Sequence, residues 1–117
     1  MGIVGALTGG HNHTLAGLGV NMPHNAVHIL SGALALAAYW AGIRYARAFL
    51  WFLTGVYGLV VVGGFLQFDP IVTTLNLNAA DNVLHTIIVA AAIYGLLPAR
   101  VRLHQFKPEE EEKRNAA

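Results

Sequence analysis

The chain of 117 residues contains no cysteine. Disulfides, zinc–thiolate sites, iron–sulfur clusters and thiol catalysis are therefore excluded. Charge is scarce too: Asp, Glu, Lys and Arg make up 11% of the residues, against about 25% in an ordinary soluble domain. No lysine or arginine precedes Arg44, so the first residues do not read as a secretory signal with its basic leading region. The formal net charge is +1 with histidines neutral. There is no basic stripe, and no nucleic-acid partner is expected. No Ser/His/Asp set, paired carboxylate or glycine-rich phosphate loop stands out, so the sequence does not predict an enzyme.

What the chain has in excess is apolar surface, with 56% hydrophobic residues. One buried core in so short a chain does not absorb that much; contact with lipid does. Three runs are long enough to cross a bilayer, covering about 24–43, 48–68 and 79–97. About 20 residues rising 1.5 Å each match a hydrocarbon core of roughly 30 Å. The predicted fold class is all-α: a transmembrane helical bundle with three spans. An N-terminal glycine-rich segment, residues 1–22, is expected to be interfacial or re-entrant, or part of a fourth span. Residues 23–98 form the transmembrane domain. Residues 99–117 form a charged tail, whose run from Pro108 reads as solvated chain.

The joints carry signals as well. Arg44 and Arg47 are expected to bracket a tight turn between the first two spans. Asp69-Pro70 is expected to end the second, with a short polar loop to Asn78. If the spans alternate, Arg44, Arg47, Arg100, Arg102 and Lys107 all fall on one side. The positive-inside rule makes that side cytoplasmic, so the Arg44/Arg47 turn and the tail face the cytoplasm. Tyr39, Trp40, Tyr45, Trp51 and Tyr94 then gather near that face as an aromatic belt.

One internal repeat stands out. The first span opens Asn21-Met22-Pro23-His24-Asn25-Ala26-Val27-His28, and the third opens Asn78-Ala79-Ala80-Asp81-Asn82-Val83-Leu84-His85. Both read N-x-x-[HD]-N-x-x-H, with matching positions 57 residues apart. The two Asn and the His sit at i, i+4 and i+7, on one stripe of a helix. Spans separated by one crossing run parallel, so both stripes lie at one face and one depth. Capping explains Asn21, Asn78, Asp81 and Pro23. It does not explain Asn25, Asn82, His28 or His85, whose polar side chains should face other helices or a cavity.

Three readings of these residues remain open. They form an interhelical hydrogen-bonded cluster without any ligand. Alternatively, His28 and His85 are axial ligands of a tetrapyrrole (haem or a chlorophyll-type pigment) supported by Asn25 and Asn82, or His24, His28 and His85 hold a metal ion. The third is a proton or substrate pathway, in which His24 or Asp81 beside a histidine forms an acid–base pair. His11 and His13 lie on the same side and read better as a loop pair. Small residues, Gly55, Gly58, Gly63 and Gly64 in the second span and Ala33, Ala37, Ala41, Ala90 and Ala91 in the others, suit close helix packing within the chain or against a partner.

These landmarks resemble a known family. The stretch Asn21 to Gly32 (N-x-x-HN-x-VH-x-x-x-G) is its first. Arg47, Phe49 and Leu50 open the next helix, ahead of Gly55-Val56-Tyr57-Gly58, and N-x-ADN-x-LH follows from Asn78 to His85. The chain is similar over about residues 15–97 to a bacterial integral membrane family catalogued as domain of unknown function 4383. The resemblance implies a helical membrane bundle and no particular activity. It also implies a further complete span ahead of Asn21, where only a short glycine-rich stretch stands here. The sequence therefore predicts a small non-catalytic membrane subunit that packs in a larger complex or a homo-oligomer, in a bacterial inner or a photosynthetic or respiratory membrane. Its partners are the lipid bilayer and other membrane subunits or itself, and this reading requires no cofactor.

Overall fold

The computed structural model describes residues 2–8, 11–98 and 113–116. Arg100, Arg102, Lys107 and most of the charged tail lie outside the described residues. The order is α1 (Gly2–Thr8), β1 (His13–Leu15), β2 (Leu18–Val20), α2 (Met22–Ala41), α3 (Ile43–Phe65), α4 (Asp69–Leu75) and α5 (Ala79–Leu96).

The helix starts follow the capping residues. The Asn21 side chain accepts from the His24 N–H, and Pro23 sits in the first turn of α2. Asn78 and Asp81 form a reciprocal capping box at the start of α5. At the α2–α3 joint the chain reverses through Gly42 alone. Its φ of +107° lies in a region that side chains disfavour. Because one glycine makes the turn, α3 begins at Ile43, and Arg44 and Arg47 sit in its opening turns instead of flanking a loop.

Two segments depart from the sequence reading. The connection after the second span is not a polar loop, because Asp69-Pro70 opens the short helix α4. Proline suits a helix start as readily as a helix stop, and the left-handed Asn76 ends α4. The N-terminal glycine-rich stretch carries a helix, α1, and an antiparallel hairpin, whose two short strands an all-α reading does not include. In that hairpin His13 pairs with Val20 and Leu15 with Leu18. Ala16 and Gly17, both at positive φ, form its two-residue turn.

The hairpin is tied down by distant side chains. Asn76 Nδ2 donates to the His13 and Val20 carbonyls, and Asn78 Nδ2 donates to the Gly17 carbonyl. The Gly19 N–H donates to Asp81 Oδ2 at 2.9 Å. Asn21 Nδ2 reaches both Asn12 Oδ1 and the Thr74 carbonyl.

Packing inverts the usual arrangement of a soluble domain. Among the described residues, the buried polar side chains are Asn21, His24, Asn25, Asp81, Asn82 and His85, one more than the buried hydrophobic ones, Val20, Tyr57, Leu77, Ala92 and Leu96. Large apolar side chains face outward, including Trp40, Leu59 and Leu66. α3 packs on α5 and α2, α1 lies on α2, and α4 closes against α3 and α2. Both α3 and α5 are long and apolar enough to cross a membrane.

Candidate functional site

The polar interior centres on three imidazoles. His24 and His28 lie four residues apart on one face of α2, and His85 comes from α5. One ring nitrogen from each residue fits within a set whose members all lie within 4.8 Å of one another. His24 Nε2 and His28 Nε2 are 3.0 Å apart. The His28 and His85 rings stack, with centroids 5.7 Å apart and planes 14° from parallel, and His24 stands 5.6 Å from His85. Helix periodicity on α2 and α5 thus brings the two histidines of the repeat, and His24 with them, into one cluster.

A fourth ring joins from α3. Tyr57 is buried and meets His28 and His85 edge-on, with centroids 5.9 and 5.4 Å away. Its hydroxyl lies 2.9 Å from Ser31 Oγ and 3.5 Å from His28 Nδ1, and Ser31 Oγ donates to the His28 carbonyl. Neither Tyr57 nor Ser31 was a candidate on sequence grounds. The available signal was position, since Tyr57 sits in mid-helix between Gly55 and Gly58, away from the belt formed by Tyr39, Tyr45 and Tyr94.

The asparagines of the repeat occupy two separate helix crossings. Asn25 is fully buried against Gly5 of α1, where a Cβ on Gly5 would collide with its Oδ1. Asn82 sits against Gly64 of α3 in the same way. Neither amide hydrogen-bonds a histidine ring among the described residues. Asp81, one turn before His85, is buried and receives the Gly19 and Asn78 N–H groups on Oδ2. His13, the first residue of β1, belongs elsewhere: its Nε2 meets Thr8 Oγ1 at 3.0 Å and its Nδ1 the His11 carbonyl at 2.8 Å, so of the two only His11 stands in a loop.

Some of this interior is left unpartnered. Among the described residues, His24 Nδ1, His85 Nδ1, both polar atoms of the Asn25 amide, Asn82 Oδ1 and Asp81 Oδ1 are buried without a hydrogen-bond partner. Buried polar groups are normally paired, so this concentration marks the site as unusual. The outer edge of the half-buried His28 lines an open, largely apolar groove of about 670 Å³ between α1 and α2.

A family model described as Domain of unknown function (DUF4383) matches residues 2–99, most of the chain. No curated protein and no solved structure matches it.

Proposed function

The chain belongs to the DUF4383 family, and from that premise and the packing we propose that it is a non-catalytic integral membrane subunit with three spans, α2, α3 and α5. The observation that carries this reading is the outward face of α2. Every exposed residue from Met22 to Ala41 is apolar or aromatic, while of the hydrogen-bonding residues of its first half His24 and Asn25 are buried and His28 and Ser31 half-buried. Mean hydropathy averages the two faces and so understates how apolar the surface offered to lipid is. Polar groups at that depth belong inside a bundle.

Positive charge orients the subunit. Arg44 and Arg47 are the only exposed charged side chains on α2, α3 and α5, which puts their end in the cytoplasm. The histidine cluster then lies toward the opposite face, in a bacterial inner or a photosynthetic or respiratory membrane.

Small residues supply the argument for a partner. Gly63 and Gly64 are used within the chain, against Ile71 and Asn82, while added Cβ atoms on Gly32, Gly55 and Gly58 would meet open space. Ala33, Ala37 and Ala41 form an exposed stripe with four-residue spacing on α2. A shallow apolar groove of about 280 Å³ runs beside Ala37 and Ala41. Small-xxx-small faces let helix backbones approach closely in lipid. The subunit packs there against itself or another membrane protein. Ala37→Leu should weaken that association about tenfold in a bilayer dilution assay while leaving helix content unchanged. A wild-type chain that stays monomeric at every protein-to-lipid ratio and migrates free of larger complexes would overturn the subunit reading.

The tetrapyrrole alternative fits less well. Two axial ligands point their nitrogens at one metal from opposite sides of a macrocycle. The stacked His28 and His85 rings present faces to each other.

A further inference from the structure

We propose that His24, His28 and His85 bind one divalent first-row transition-metal ion of the zinc class. This goes beyond the subunit reading and does not depend on any partner. Three observations carry it.

The first is convergence. Ligand nitrogens from three residues on two helices lie within 4.8 Å of one another. Around a tetrahedral ion with Zn–N bonds of about 2.0–2.1 Å, neighbouring ligand nitrogens stand roughly 3.3 Å apart. The His24 Nε2 to His28 Nε2 separation of 3.0 Å is already close to that value, and His85, whose nitrogen lies within 4.8 Å of the others, joins by turning its ring out of the stack on His28. A purely imidazole set without thiolate suits zinc or copper(II) better than calcium or magnesium, which take oxygen ligands.

The second is the unspent bonding capacity of the cluster. His24 and His85 are 3% and 2% exposed, and each keeps a buried Nδ1 with no partner among the described residues. His24 and His28 can share one proton between their facing Nε2 atoms, and nothing among the described residues hydrogen-bonds His85 Nδ1. An ion held by Nε2 of His24 and His28 and by one nitrogen of His85 takes up one lone pair from each ring, and the other nitrogen of each ring carries the proton.

The third is the chain of hydroxyls behind His28. If Nδ1 carries the proton, it donates to Tyr57 Oη, Tyr57 donates to Ser31 Oγ, and Ser31 donates to the His28 carbonyl. Every donor in that sequence has an acceptor, and the lone pair on His28 Nε2 is left facing the cluster. Metal-bound histidines are held by such contacts on their other nitrogen, which makes Tyr57 a positioning residue. The buried carboxylate of Asp81, one turn from His85, supplies nearby negative charge for a cation in an apolar surround.

The test uses the full chain without a polyhistidine tag, purified in mild detergent, stripped with a chelator and titrated with zinc chloride against a chromophoric competitor. One zinc per chain should bind. His85→Ala should weaken binding at least a hundredfold, and Tyr57→Phe about tenfold, the range for loss of an outer contact to a ligand. His11→Ala and His13→Ala should leave affinity unchanged. Cobalt(II) bound to the wild type should show the intense visible bands of a tetrahedral site, so the proposal remains testable if His85→Ala fails to fold. A helical wild type that binds no stoichiometric zinc, cobalt bands of octahedral weakness, or binding lost with His11 and His13 instead of His85 would overturn it.

Discussion

Gly64→Val should destabilise the bundle by about 3 kcal/mol, the upper part of the usual range for overpacking. The reason is local. A Cβ at Gly64 would occupy the place of the Asn82 side chain, which is buried at the crossing of α3 and α5. Asn82 has no exposed direction to swing into, so the helices themselves must separate. Gly58→Val is the matched control on the same helix. A Cβ there meets nothing within 4 Å, and the change should stay within about 0.5 kcal/mol, as for ordinary surface positions. Reversible denaturant unfolding in micelles measures both. Equal effects at the two glycines would show that α3 does not meet α5 at Gly64.

Asp81→Ala is the second large effect. Asp81 Oδ2 accepts from the Gly19 and Asn78 N–H groups, each at 2.9 Å. Hydrogen bonds to a charged group contribute about 1.5–3 kcal/mol each. Losing both should cost about 3 kcal/mol, because the Gly19 N–H then stays buried without an acceptor. The same change dismantles the capping box of α5 and one of the ties that hold the hairpin. Amide exchange at residues 13–20 should accelerate about a hundredfold, the rate equivalent of that energy. Asp81→Asn keeps an acceptor oxygen and should lose only about 1 kcal/mol. Unchanged exchange in Asp81→Ala would mean that the carboxylate does not hold the hairpin.

The parts of this structure that follow from local rules were legible in the sequence. Asn21 and Asn78 mark helix starts because their side chains can reach N–H groups two or three residues on. The repeat places His28 and His85 on matching stripes because a helix turns 3.6 residues at a time. α4 was hidden because Asp69-Pro70 serves equally to stop one helix and start the next. The hairpin was hidden for a different reason. Its two three-residue strands have little pairing of their own, and they are tied by Asn76, Asn78 and Asp81, some 60 residues away in sequence. No local pattern reports a bond of that separation. Tyr57 escaped notice because an aromatic in an apolar span is ordinary until the residues opposite it are known. The asparagines followed the same logic: their identity signalled an inward face, but the glycines they meet, Gly5 and Gly64, appear only once the helices are packed.

The proposed topology requires α2, α3 and α5 to cross the bilayer in alternating directions, so that the starts of α2 and α5 share one side. The absence of native cysteine makes this directly measurable. Single variants His11→Cys, Arg44→Cys, Thr74→Cys and Ala116→Cys, each at an exposed position, can be exposed in intact cells to a membrane-impermeant maleimide. His11→Cys and Thr74→Cys should label at once, and Arg44→Cys and Ala116→Cys only after the membrane is opened. Labelling of Arg44→Cys together with Thr74→Cys from one side would show that α3 does not cross, and would contradict the account.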